Sequence, residues 1–254
     1  DETTGVEGES DWLSHQEVIE ALSGYKVDII ASDECIVGQI EVAYEYSLGL
    51  DTDYLVASEG YIGWRGFTYD TILQRLNVEP TMSTERAAVI LTEEFTEYFS
   101  NPPYMSESLT MQAVSKLADV PDLVEDYGTF TDLLLEDLDS YYNIIWTAQR
   151  SGILTWGERG NAGITDLTHF VEHIVDNVKD ADVVAAGEAV LEDLSEVIVD
   201  LGVTRQTDQL GYHGLGIFFP HSYGSLVTAF GPTVELYKVF LFAQEGWLDF
   251  LYTL

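Results

Sequence analysis

The sequence is short of several residue types, and each shortage excludes something. One cysteine, six prolines and ten lysine and arginine residues occur among 254 residues. A single cysteine excludes an internal disulfide, although it does not distinguish the cytoplasm from the exterior. No apolar run approaches the roughly 18–20 uninterrupted residues of a membrane-spanning helix. Phosphate-binding glycine loops and basic aromatic patches are also missing, so we expect no nucleic-acid partner and no membrane partner.

The shortage of basic residues leaves 45 acidic side chains against 10 basic ones, a formal net charge of −35. The acids are spread along the whole chain, and such a field repels nucleic acid while it attracts cations and basic peptides. Salt or bound calcium would relieve the self-repulsion. Calcium involvement is therefore left open, and we expect no other cofactor. The low lysine content is typical of a saline setting, and we expect an extracellular, secreted protein.

What the chain does have is a strand-to-helix junction around its one thiol. Residues 27–31 are a short β-branched run, typical of a strand that is buried on both faces. Apolar residues then recur at helical spacing, at Ile36, Ile40, Ala43 and Tyr44. Cys35 lies between the two patterns, where an α/β sheet places its chemistry and where a helix N-terminus lowers the pKa of a thiol. The alternative is a buried structural cysteine that acts as a small hydrophobic residue.

The segment D-E-C-I-V-G-Q-I-E-V-A-Y-E resembles the nucleophile motif of the clostripain-like cysteine peptidases, family C11 of clan CD, which have a caspase-like fold. Val37 stands where the family usually has methionine. Residues 53–59, 214–220 and 247–251 resemble later segments of the family. The matching motif positions are Asp33, Cys35, Gly38, Glu41, Val42, Ala43, Tyr44 and Glu45.

The resemblance implies an α/β chain with a mostly parallel central sheet, helices on both faces and a largely helical C-terminal half. We expect one caspase-like chain over residues 1–254. Its regions are a flexible arm and helix at 1–25, a nucleophile strand–helix region at 26–100, a largely helical region at 101–202, and a final strand and C-terminal helix at 203–254. The resemblance also implies a strand at 53–57. Patterning predicts a strand at 109–114 and helices at 69–77, 83–100, 121–147, 164–178, 182–201 and 233–252.

The function implied by the resemblance is a cysteine endopeptidase that cleaves after arginine or lysine. Cys35 would attack the scissile carbonyl. Asp33 matches a family position in the specificity pocket, where a carboxylate binds a guanidinium or an ammonium group. The loop that carries Ser58, Glu59 and Arg65 would border this pocket and bind substrate. Arg65 replaces an acidic or polar group, and a cation in the pocket would favour acidic substrates instead.

A thiol peptidase also needs a base, which in this family is a histidine in an H-G-x-G motif upstream of the cysteine. Residues 1–26 contain only His15, which has no glycine beside it. The resemblance therefore implies a heterodimer formed by autoproteolysis. This chain would be the cysteine-bearing heavy chain, and an N-terminal fragment of the same precursor would supply the histidine. His213, in H-G-L-G, matches the motif by its letters but follows the cysteine, and is the rival base.

Two other functions remain as alternatives. His169, Glu172 and His173 form H-x-x-E-H, the inverted zinc-peptidase motif, which places both histidines on one helical face with Glu172 as base. The plainer interpretation is two exposed imidazoles beside an apolar helix face, and we predict no metal site. The second alternative is a non-catalytic caspase-like binding module, in which Cys35 would not react with a peptidyl electrophile.

Overall fold

The computed structural model describes residues 13–63, 65–101, 111–152, 163–204, 211–220 and 237–254. The six strands are β1 (Ile29–Ala31), β2 (Tyr54–Ala57), β3 (Met111–Lys116), β4 (Ile164–Asp166), β5 (Ile198–Val203) and β6 (Gly216–Phe218). The first five helices are α1 (His15–Leu22), α2 (Ile40–Gly49), α3 (Tyr69–Val78), α4 (Thr84–Ser100) and α5 (Val120–Glu136). The remaining helices are α6 (Leu138–Ser151), α7 (Leu167–Asn177), α8 (Ala181–Val197) and α9 (Leu248–Thr253).

Four strands form the main sheet in the order β1-β2-β3-β5. The pair β1 and β2 is parallel, whereas β3 is antiparallel to both of its neighbours. The sheet is therefore mixed, although β1, β2 and β5 all run in the same direction. The strands β4 and β6 form a separate antiparallel pair, which a bridge between Gln39 and Gly216 joins to the start of α2.

Successive side chains of a strand point to opposite faces of the sheet, so each face carries apolar side chains, and helices cover both faces. Leu55 and Ala57 point into the larger core, which α2, α5, α7, α8 and the C-terminal segment complete. Val56 and Val114 point into a smaller core, which α3 and α4 close with Ile72, Phe95 and Phe99. No helix among the described residues has the length and apolar character needed to cross a membrane.

Several predicted elements are confirmed within a few residues. Ser14 caps α1 as one half of a capping box with Glu17. The strand at 53–57 and the helices at 69–77 and 83–100 are β2, α3 and α4. The strand expected at 109–114 is β3, which begins at Met111 and is buried on both faces rather than alternating. Pro102 and Pro103, which follow α4 in the sequence, lie outside the described residues.

The nucleophile strand differs from its prediction. It is shorter than residues 27–31, and its three residues are half-buried or exposed rather than buried on both faces. The reason is its position, because β1 is the terminal strand of the described sheet and β2 is the neighbour that pairs with it. The helix that follows also begins later than predicted, at Ile40 with Gln39 as its N-cap.

The predicted helix at 121–147 is two helices, α5 and α6, separated at Asp137. Asp137 has φ −133° and ψ 51°, and its carbonyl accepts the backbone N–H groups of Ser140 and Tyr141. Tertiary packing explains the break, because α5 packs against α8 and α2 whereas α6 packs against α7. A straight helix could not make both sets of contacts, and no proline or glycine marks the site.

Two further helix predictions included residues that form strands. Residues 164–166 are β4, and residues 198–203 are β5, so Gly202 lies inside a strand instead of following a helix. Leu194, Ile198 and Leu201 keep helical spacing, which explains the error, and pairing with β3 decides the outcome. The C-terminal helix is also interrupted, because Glu245 and Gly246 have non-helical backbone angles.

Candidate active site

The loop between β1 and α2 carries the thiol at the carboxyl ends of the parallel strands. Ser32 continues the strand pairing by donating its backbone N–H to the Val56 oxygen at 2.9 Å. Cys35 follows as an exposed free cysteine. It lies before Gln39, the N-cap of α2, and is therefore not part of that helix.

The residue after the cysteine has a strained backbone. Ile36 has φ 65°, and among the described residues it is the one non-glycine with positive φ. A β-branched residue rarely adopts this conformation, and such strain persists only where the surroundings enforce it. Ile36 donates its N–H to the Gly60 oxygen at 2.7 Å, and the Cys35 sulfur lies 3.5 Å from the Ile62 nitrogen. The loop after β2 therefore fixes the turn that exposes the thiol.

Gly38 allows the loop between β1 and α2 to approach closely to the loop that follows β2. Its N–H donates to the Ser58 oxygen at 2.8 Å, and a Cβ at this position would lie 2.6 Å from the Glu59 nitrogen. The Gly38 oxygen accepts the N–H of Gly216 at 2.9 Å, which brings β6 to the same place. The motif glycine is thus required by backbone packing on both sides of the thiol loop.

Asp33 is exposed two residues before the thiol. Its Oδ2 accepts the Tyr69 hydroxyl at 2.6 Å. A Cβ built at Gly66, which has φ +65°, would lie 2.5 Å from the same oxygen. Arg65 is exposed in the turn before Gly66. The structure therefore brings the predicted pocket residues Asp33 and Arg65 into one region, next to Tyr69, to which the sequence assigned no role.

Ser58 and Glu59 were expected to contact substrate, and the structure places them inside the protein. Both are fully buried. The Ser58 hydroxyl accepts the Gly60 N–H at 3.2 Å, and Glu59 Oε1 accepts the Gly214 N–H at 2.8 Å. They are buried because the chain turns inward after β2 and meets the segment before β6. Their positions offer support for the loop rather than contact with a substrate.

Glu59 belongs to a buried acidic network with Asp166 and His213. Burial, and then the neighbouring Asp166 carboxylate, raise the pKa of Glu59 well above its usual value. Asp166 is 1% exposed at its side chain and accepts from His213 Nδ1 at 3.0 Å and from the backbone N–H groups of His169 and His213. The hydrogen bond to Asp166 is the largest cause that raises the pKa of His213.

The two motif glutamates of α2 anchor the C-terminal half. Glu41 Oε1 accepts the Phe218 N–H at 3.0 Å and the Tyr237 hydroxyl at 2.7 Å. Glu45 Oε1 accepts the Leu241 N–H at 2.5 Å. Burial raises the pKa of Glu41. The nucleophile helix is thereby tied to the segment that closes the larger core.

The other histidines among the described residues make their contacts away from the thiol. His15 Nδ1 is 2.9 Å from the Tyr46 hydroxyl, and burial lowers the pKa of His15. His169 Nε2 is 3.1 Å from the Ser151 hydroxyl. In the described parts of the chain, no histidine hydrogen-bonds to Cys35. Nor do His169, Glu172 and His173 join a cluster of three or more candidate metal ligands there.

Sequence reasoning placed Tyr69 in the loop beside the pocket without giving it a role, and it missed Asp166. Asp166 carried a local signal, because it is the N-cap of α7 and accepts the His169 N–H. Its bond to His213 spans 47 positions and had no signal in the sequence. Tyr69 similarly reaches Asp33 over 36 positions. Only the fold brings these groups together.

The sequence model described as the clostripain family matches residues 6–229. Clostripain of Hathewaya histolytica is 40% identical over 73 residues, which is 27% of this chain and 14% of that protein's length. The B. fragilis cysteine protease aligns with a TM-score of 0.65 and 17% identity over 96% of this chain and 97% of that one. A secreted C11 cysteine protease from Bacteroides thetaiotaomicron, in complex with an irreversible peptide inhibitor, gives a TM-score of 0.66 and 14% identity over 95% of this chain and 65% of that one. These structural matches confirm the predicted fold class.

Proposed function

Because the chain belongs to the clostripain family, we propose that it carries the nucleophile of a cysteine endopeptidase that cleaves after arginine or lysine. The nucleophile is Cys35. The observation that carries this proposal is an exposed thiol on a strained turn at the carboxyl ends of β1 and β2, in a sequence with no second thiol. Buried structural cysteines lack that exposure.

The reaction proceeds through a covalent intermediate. The Cys35 thiolate attacks the scissile carbonyl carbon, and loss of the amine leaves a thioester that water hydrolyses to restore the thiol. The backbone N–H of Cys35 is suited to stabilise the oxyanion, because it lies on the attacking residue itself. A histidine accepts the thiol proton and returns it to the leaving amine.

The histidine comes from an N-terminal fragment of the same precursor, which stays bound after autoproteolysis. Two observations support this assignment. The described residues bring no histidine into hydrogen-bond contact with Cys35. In addition, β1 is the terminal strand of the described sheet, with half-buried Ile29 and Ile30, and an open edge of this kind is a template for another strand. A strand added beside β1 would end next to the thiol loop.

One observation favours a second candidate for the base. His213 engages Asp166 through Nδ1, as the histidine of a catalytic triad engages its aspartate, and its side chain is 37% exposed. Gly214 contacts Glu59, which lies in the loop that fixes the thiol turn. Among the described histidines, His213 is therefore the rival base within this chain.

Asp33 supplies the counter-charge for a basic substrate residue. Its carboxylate is exposed, and the net charge of −35 raises the local concentration of cationic peptides. Arg65 in the adjacent turn opposes this preference.

A secreted location, as described for the Bacteroides thetaiotaomicron protease, agrees with the acidic composition. Calcium would act by screening the acidic surface.

The test is to express residues 1–254 with and without the encoded upstream segment, each with the wild-type sequence and with His213→Asn. Asparagine can still donate a hydrogen bond to Asp166 but cannot act as a base. We expect hydrolysis of basic peptides only with the upstream segment, and little effect of His213→Asn. Full activity of residues 1–254 alone, lost in His213→Asn, would move the base to His213. Absence of turnover together with no labelling of Cys35 by a peptidyl electrophile would favour the binding module.

A further inference from the structure

Asp33 presents its two carboxylate oxygens to different surroundings. Oδ2 accepts the Tyr69 hydroxyl at 2.6 Å, a short bond of the charge-assisted kind. The same oxygen lies against Gly66, where a Cβ would come within 2.5 Å of it. Oδ2 is thus both hydrogen-bonded and covered by backbone. The described residues donate no hydrogen bond to Oδ1.

Tyr69 is held in place by packing on its inner side. Its ring meets Phe67 edge-on at 6.3 Å, and Phe67 is buried against Phe95 in the smaller core. Tyr69 is also the first residue of α3, so its backbone is fixed by the helix. Its outer face remains open, with the residue 59% exposed. The hydrogen bond to Asp33 therefore comes from a rigid donor at the border of solvent.

The consequence concerns which cation the carboxylate can bind. A guanidinium is a planar fork that pairs best with both oxygens of a carboxylate, whereas an ammonium is a compact charge that one oxygen satisfies. With Oδ2 occupied, Asp33 offers one oxygen. We propose that Tyr69 is a specificity-determining residue, which positions Asp33 so that the enzyme prefers lysine to arginine before the scissile bond. This inference rests on the proposed function, with Asp33 as the counter-charge.

The experiment compares two peptides that differ only in lysine or arginine before the scissile bond. It uses the active enzyme, expressed with its encoded upstream segment. For wild-type enzyme we expect kcat/KM to be higher with lysine. Tyr69→Phe frees Oδ2 and should shift the lysine-to-arginine ratio toward arginine by about tenfold, the size of one hydrogen bond to a charged group.

Tyr54→Phe is the matched control, because the Tyr54 hydroxyl also donates to an exposed carboxylate, Glu85, at 3.2 Å. It should leave the ratio unchanged. A structural effect of Tyr69→Phe would lower both rates equally and leave the ratio unchanged, which would overturn the inference. A wild-type preference for arginine would overturn it as well. In both cases the proposed function stands, whereas failure to cleave after either basic residue would remove the function and this inference together.

Discussion

The acidic side chains at the two ends of β1 and β2 differ in their burial and in the groups that they contact. At the amino end, Lys26 Nζ lies 2.7 Å from Asp53, 3.4 Å from Asp51 and 3.7 Å from Asp28. The Lys26 side chain is 48% exposed, and those of the three aspartates are between 44% and 71% exposed. Water screens such charges, so their geometry constrains the backbone very little.

At the carboxyl end Asp33 is exposed, but Glu59 and the neighbouring Asp166 are buried and contact backbone N–H groups instead of a lysine. Glu59 accepts from Gly214, and Asp166 accepts from His169 and His213. A buried carboxyl group without hydrogen bonds is costly, so each of these contacts fixes the position of the segment that donates. Most charged side chains of this protein therefore lie on its solvated surface, whereas a few buried acidic side chains fix the backbone segments that form the site.

The largest effect should come from the thiol. Cys35→Ala should lower peptidase activity by at least about 10⁴-fold, as loss of a nucleophile does in other peptidases. Because the side chain is exposed, the free energy of unfolding should change by less than about 0.5 kcal/mol. Peptide hydrolysis and urea unfolding measure the two quantities. Turnover at the wild-type rate would contradict the assignment.

The second largest effect on activity should come from Gly38, where the loop after β1 and the loop after β2 approach closely. Gly38→Ala would bring a Cβ to within 2.6 Å of the Glu59 nitrogen, so backbone must move. We expect a loss of about 1–3 kcal/mol in stability from overpacking and a loss of activity near 10²-fold from displacement of the thiol turn. Gly128→Ala in α5 is the control. Its Cβ would meet nothing nearer than 3.9 Å, and alanine should stabilise the helix slightly. Equal effects of the two substitutions would contradict the packing argument.

The buried network should make stability depend on pH in a defined direction. The folded state raises the pKa of Glu59 above 4.5 and that of His213 above 6.5. Stabilisation from such groups is complete below the unfolded pKa and is lost as pH rises through the folded pKa. Glu59→Gln mimics the protonated carboxyl group, so its stability relative to wild type should improve as pH rises above 4.5.

The control for this pH dependence is Glu17, whose pKa is lowered by its hydrogen bonds to Ser14. Glu17→Gln should show the opposite sign, with a cost that is present at neutral pH and vanishes as the solution is acidified. Thermal unfolding midpoints over a range of pH values measure both variants. Parallel curves for wild type and Glu59→Gln would show that folding does not raise the pKa of Glu59.

The smallest effect should come from the amino ends of β1 and β2. Lys26→Met removes the cation shared by three aspartates, yet all of these groups are exposed and screened. We expect a slight loss of stability that salt removes, and unchanged activity. A loss as large as that of Gly38→Ala, measured in the same urea titration, would break the contrast between the two ends.

The sequence predicted those features that depend on residues close to one another along the chain. The cysteine motif indicated the family and the fold, and local patterns found β2, α3 and α4. The break at Asp137 and the strand β5 were missed because both depend on packing partners far along the chain. In the site, the exposure of Cys35 agrees with its predicted role, whereas the burial of Glu59 depends on contacts with Gly214 and Asp166. Spacing alone could not place those partners.

The most direct test of the central claim is covalent labelling. A peptidyl electrophile that ends in lysine is incubated with the protein expressed with its upstream segment, and the adduct is located by mass spectrometry. The account predicts one adduct per chain on Cys35, with loss of activity in proportion to labelling and protection by a lysine substrate. Complete inactivation with Cys35 unmodified, or Cys35 labelled while hydrolysis continues at full rate, would contradict it.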